Sequence, residues 1–433
     1  MKKITLLFAF ALVAFFTNAE PLIIHVSPTG SSDVTVDGLT WEKAVSLARG
    51  RSLANFYNTQ AIPTENQIWM KAGTYNLTTA LQLNVQIAMY GGFAGAETLL
   101  SERNWVANQT ILNQTGATMV IWSNVEKDVL LDGLILQGGR VTGQSGCGPI
   151  TNGTTLRNCI VRNNKATTGS GALSITNVSG ATKNVIIENC LIINNESGTS
   201  PQALSIAVAN TEIRNTTIAN NLSNTAGTTA AITGSVAYKV YNSIICNNYN
   251  VTTLAKSFGI GTAKELTNNA WDAAATDGTL TSNILLTSSP FVAATGFQGA
   301  ANGTDKLLST IESADFKLAS GSSCIDAGNN AYVTSTVTRD LANSERIQNS
   351  IVDMGCYESS FTTLDVKMPI AGGLKVIGNK IQLPESAMGQ TVCVFNVNGM
   401  EVKNYIANSF ELTIAGKGVY VVKVNNEVYK VIL

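Results

Sequence analysis

The chain has 433 residues, a net charge of −1 and a hydrophobic fraction of 45%, enough for a large core and too much for a disordered chain. Charged residues make up only 13%, against about 25% in ordinary soluble domains, and Asn, Thr, Ser and Gly take the polar positions instead. This balance excludes the basic footprint of a nucleic-acid binder and the polybasic patch of a membrane-surface protein.

The first residues read as an export signal. Lys2 and Lys3 precede the apolar run ITLLFAFALVAFF, and the signal ends at the small residue Ala19. The pattern predicts a signal peptide over 1–19, cut before Glu20. The run is too short to span a bilayer comfortably, and no Cys stands at the cut to take a lipid. No later stretch is long and apolar enough to cross a membrane. The mature chain is expected to be secreted or held at a bacterial cell surface. Next comes DGLTWEKAVSLAR (37–49), an Asp-Gly turn followed by Trp41, Ala44, Val45, Leu47 and Ala48 at near-helical spacing. It predicts one amphipathic helix that caps the open edge of a stacked strand array.

The middle of the chain is a repeat. LRNCIVRNN (156–164), IENCLIINN (187–195), IRNTTIANN (213–221) and VYNSIICNN (240–248) share one pattern. Their first asparagines are Asn158, Asn189, Asn215 and Asn242, and LLDGLILQGG places Asp132 in the same column one coil earlier. A period near 27 residues marks a stacked array. One column holds Leu156, Ile187, Ile213 and Val240; another holds Val161, Ile192, Ile218 and Ile245. Both are aliphatic and mostly β-branched, which favours strands over helices. The columns lie five residues apart, and strand alternation cannot bury both unless parity breaks between them. The break belongs at the Asn column, since Asn tolerates the left-handed conformation of a sharp bend. Strand, bend and strand per coil describe a parallel β-helix, with coils about 4.8 Å apart. The stacked asparagines are expected to form a side-chain ladder, and Cys159, Cys190, Thr216 and Ser243 form a small column beside it.

Several stretches carry a family resemblance: IWMKAGTY (68–75), AMYGGFAGAET (88–98), the repeated coils, DFKLASGSSCIDAGN and RDLANSERIQNSIVDMGCYE. On these the chain resembles exported right-handed parallel β-helix proteins of the pectin-lyase-like superfamily, of the choice-of-anchor Q type. The resemblance covers most of 20–358 and implies a closing segment over 315–358. Its members usually carry small residues at the positions of Cys324 and Cys356; both being Cys here, a disulfide between them is expected. After a linker (359–373), residues 374–433 read as short alternating strands, with hairpin signals at Asn398-Gly399 and near 425–427. VFNVNGMEV and GKGVYVVKVNNEVYKVIL resemble the type IX secretion sorting domain of Bacteroidota, although the usual PNP opening is missing. The expected fold class is all-β: a β-helix with an N-terminal helical cap, plus a small β-sandwich-like domain that engages secretion and anchoring machinery.

Catalytic chemistry is hard to place. The sequence holds one His, His25, in the apolar strand LIIHV, where a structural role is expected. No His-based triad or zinc site can be assembled around it, and no CxxC pair occurs. The acids between 128 and 250 are Asp128, Asp132, Glu188, Glu196 and Glu212, with no acidic pair and no Arg-Pro-Arg type motif. No metal site is read, and no motif supports calcium. Residues preceding the bend asparagines, Arg157, Glu188, Arg214 and Tyr241, stack outward on successive coils. They read first as a solvated charge ladder and second as a glycan-binding strip. The reading favours a non-catalytic adhesion or glycan-binding scaffold. The alternatives are a polysaccharide lyase or glycoside hydrolase, and a structural surface-layer component.

Overall fold

The computed structural model describes residues 21–59, 66–198, 202–224, 230–250, 265–272, 279–294, 313–360, 374–377, 380–396, 399–414, 419–424 and 427–432. The expected signal peptide and most of the linker lie outside them. The chain divides into two compact units, Met1–Phe361 and Thr362–Leu433.

The first unit is a right-handed parallel β-helix. A ten-stranded sheet runs from Ile23–Ser31 through Val129–Asp132, Thr154–Arg157, Ile186–Glu188, Thr211–Arg214 and Tyr238–Tyr241 to Thr279–Thr281. A nine-stranded sheet runs beside it from Gly73–Leu77 to Ile284–Leu285. Four-stranded and five-stranded sheets, beginning at Gly148–Thr151 and Arg140–Val141, complete the coils. Successive coils pair in parallel, in register.

The parity argument holds at the bend. Asn158, Asn189, Asn215 and Asn242 have φ of 52°, 55°, 46° and 48°, the left-handed region that Asn enters at low cost. The bend lets Leu156 and Val161 both point inward, each fully buried. Asp132, however, does not stand in the bend column. It pairs with Arg157, and Leu131 pairs with Leu156. Gly133 occupies the bend at φ 72°, where a residue without Cβ is free to go. The Asp therefore belongs to the outward column, one place earlier than its spacing suggested.

A second bend sits at the first member of each Asn pair. Asn163, Asn194, Asn220 and Asn247 have φ of 56°, 52°, 54° and 54°. The second members build the continuous ladder: Asn164 to Asn195, Asn195 to Asn221 and Asn221 to Asn248, each Nδ2 donating to the next Oδ1 at 3.0 Å. The expected ladder at Asn158, Asn189, Asn215 and Asn242 is only partial. Asn189 donates to Asn158 at 2.6 Å, and Asn158 to Asp132 at 2.8 Å. Asn242 instead turns its amide to the backbone of Asn329, and the Asn215 Nδ2 has no partner.

The cap helix spans Leu47–Asn58, later than expected, with Ser46 as N-cap accepting from the Arg49 N–H. Residues 37–46 stay irregular because Gly38 turns at φ 72° and Val45 bridges to the first strand. Leu47, Leu53 and Ala54 are buried in the main core. Gly50 allows the close approach, since a Cβ there would meet Val26 at 2.5 Å. The second unit is a sandwich of a three-stranded and a four-stranded antiparallel sheet. Its own core includes Ile381, Val392, Val394, Leu412 and Val422. Gly399 turns at φ 75° and Asn396 bonds to Met400 across the hairpin; Asn398 lies outside the described residues, as do Asn425 and Asn426.

Candidate functional site

The outward column is not a solvated ladder. The side chains of Arg157, Glu188 and Arg214 are 17%, 4% and 22% exposed, and Tyr241 is buried. The closing segment lies over them like a strap. Asn268 donates to the Ala327 carbonyl and Asn242 bonds Asn329 in both directions. Tyr332 stacks on Tyr241 at 4.0 Å, and Thr334 donates to Glu188 Oε2 at 2.8 Å. Asn189 donates to the Arg339 carbonyl and Trp105 to that of Leu341. The charges pair among themselves beneath it: Arg157 with Glu188 at 2.6 Å, and Arg214 with Glu212. The column is thus covered by the chain itself, and little of it remains for a glycan.

Arg346 pins this strap. It is 1% exposed and donates to Asn189 Oδ1, to the Asp353 and Gly355 carbonyls, and to Glu358 at 2.7 Å. Burial raises the carboxyls gathered here, more than Arg346 and nearby backbone N–H groups lower them. Asp340 is raised, Asp353 to about 6 and Glu358 to about 8. Beneath the strap, Leu191, Ile193, Ile244 and Cys246 on the outer face of the nine-stranded sheet pack with Ile325, Met354 and Cys356. The expected Cys324–Cys356 disulfide is not formed; both are free thiols. Cys356 faces Thr217 and Cys324 faces Ser322, and burial pushes both up to about 12.

His25 is buried, bonded to the Gly38 carbonyl at 3.1 Å and edge-on to Trp41 and Trp69. Burial lowers its pKa, and it is a core residue. Among the described residues no group of three or more His, Cys, Asp or Glu is placed to hold a metal.

What the periodicity did not reveal is a cleft of about 300 Å³ on the ten-stranded sheet, lined by Asn66, Gln86, Ala88, Tyr90, Asp128, Leu130 and Thr155, among others. Ala88, Leu130 and Thr155 share one outward column. Tyr90 is held by the Arg103 guanidinium, 5.1 Å from its ring centre, and Arg103 is tied to Asp132 at 2.8 Å. Asp128 stands at the edge, paired with Lys183 at 2.6 Å. Of its lining residues, the sequence had singled out Asp128, as one of the acids between 128 and 250.

No family model matches the chain, and no curated protein matches it. Among solved structures, the crystal structure of pectate lyase Pel9A is similar at 14% identity, over 80% of this chain and 98% of that chain, with a TM-score of 0.33. A likeness of this size carries neither an activity nor site residues to this protein.

Proposed function

We propose that this chain is an exported β-helix, displayed outside the cell, that binds glycan without cleaving it. The observation behind this reading is the cleft on the ten-stranded sheet, with amides and hydroxyls around an apolar floor of Ala88 and Leu130. Such a mixture suits sugars, which present C–H faces and hydroxyl edges. Hydrolysis ordinarily takes two facing carboxylates, and the cleft is lined by one, Asp128. Membership of the choice-of-anchor Q group, and delivery by a type IX route through 374–433, rest on the sequence motifs alone.

A glycan array and calorimetry on the purified chain test the reading. Binding that Thr155→Leu abolishes by filling the cleft is the expected result. Release of oligosaccharide product, lost in Asp128→Asn, would make it a lyase or hydrolase instead. A blank array would favour a structural surface-layer role. Deleting 374–433 should leave the β-helix unit in the periplasm; surface delivery of the truncated chain would remove the sorting role.

A further inference from the structure

We infer that the far end of the β-helix is an interface, where two copies of this chain meet end to end across a two-fold axis. The inference does not depend on the glycan reading.

The core columns show where the solenoid is left open. Leu156, Ile187, Ile213, Val240 and Leu266 stack in one column, each 0% exposed, and Leu280 continues that column at 46%. Beyond the bend, Ile218, Ile245 and Trp271 are buried in a second column, and Leu285 continues it at 58%. Residues paired in register on parallel strands share a face, so Leu280 and Leu285 point inward as their predecessors do. Among the described residues no strand pairs with the far side of Thr279–Thr281 or of Ile284–Leu285, the last strands of the two long sheets. Two core side chains and two strand edges are thus left uncovered.

The other end of the solenoid is closed. Its first strand, Ile23–Ser31, gives N–H groups to the stretch before the cap helix, His25 to the Gly38 carbonyl at 2.7 Å and Ser31 to the Ala44 carbonyl at 3.0 Å. Helix Leu47–Asn58 lies against Ile24 and Val26, both 0% exposed. A head-to-tail fibre would need that end open. The contact left to two copies is tail to tail, which closes after two.

Charge points to the same partner. From Thr279 to Ala294 the chain carries no Asp, Glu, Lys or Arg, so this edge lacks the charged residues that ordinarily keep sheet edges apart. An uncharged apolar end has nothing with which to steer a foreign partner by charge, and it meets its own copy without repulsion. Across a two-fold axis the edge strands run antiparallel and exchange their free N–H and C=O groups. Leu280 and Leu285 of each copy then cover the open core of the other.

Sedimentation of the full chain at micromolar concentrations should show a monomer–dimer equilibrium. Leu285→Arg should raise the dissociation constant about a hundredfold, since a two-fold interface buries the added charge twice. Thr281→Lys, at an exposed position of the last strand, should act in the same direction by blocking edge pairing. Phe56→Arg, 54% exposed on the cap helix, should leave the dimer intact. In the native chain the amides of 279–286 should exchange more slowly as concentration rises. A chain that stays monomeric overturns the inference, and slow exchange at 279–286 in that monomer would show that the chain covers its own end. Dimers that survive Leu285→Arg but not Phe56→Arg place the contact at the capped end and overturn it equally.

Discussion

Asparagine does two different jobs in each coil, and the difference lies in where its amide points. The bend asparagines take left-handed φ and turn their amides outward, where Asn189, Asn242 and Asn268 grip the strap backbone. The second Asn of each pair points inward. Asn195 donates to the Val161 carbonyl and to Asn221, and accepts from the Asn164 backbone and side chain. Replacing it with Leu keeps the volume but strands several buried polar groups at once. Asn195→Leu should cost about 3 kcal/mol, read as a lower urea midpoint, while Asn195→Asp should fare worse at neutral pH than at pH 4. Neither effect should appear for Asn113→Leu, whose side chain bonds to Asn76 at the surface.

At the scale of the element, the strap behaves as a titratable clasp. Asp353 and Glu358 have folded pKa values near 6 and 8, above the ordinary carboxylate value of about 4. Folding therefore binds protons. The stability these groups contribute is complete below about pH 4 and is lost as pH rises through 6 and then 8. Strap proteolysis should accelerate between pH 4 and 8, and Glu358→Gln should flatten the upper half of that rise. Trp105, whose indole bonds to the Leu341 carbonyl, gives a fluorescence reading of the same event. Arg346→Met should loosen the strap at all pH values, by about 3 kcal/mol, because Asn189 Oδ1 and the Asp353 and Gly355 carbonyls lose their buried donor. Proteolysis of the Arg346→Met strap no faster than in the native chain would show that its apolar contacts suffice. The strap also explains what the repeat text concealed. The aliphatic columns and the bend are local periodic facts, and both were legible. The burial of Glu188 and Tyr241 depends on strap residues far along the chain, Thr334 lying 146 positions beyond Glu188, and no periodicity records such a contact. The cap helix was misplaced for a similar reason: Val45 had apolar spacing for a helix but found a strand partner in Val26.

For the whole molecule, two units with separate cores predict two heat transitions in calorimetry. Removing 362–433 should delete one and leave the other within a few degrees; a single shared transition would show that they fold as one. The β-helix core itself is additive, each coil resting on its neighbours. Such arrays ordinarily tolerate gain or loss of a whole repeat, because the ladder of Asn164, Asn195, Asn221 and Asn248 would simply gain or lose a rung. The strap removes that freedom. It starts at Asn268, passes Asn242, Glu188 and Asn189, and reaches Trp105, travelling back along the axis with one anchor after another at fixed chain intervals. An extra coil would lengthen the rod by about 4.8 Å while the strap kept its length, so one anchor would fall out of step. The closing segment is thus a gauge: it fixes how many turns can lie between Trp105 and Asn268.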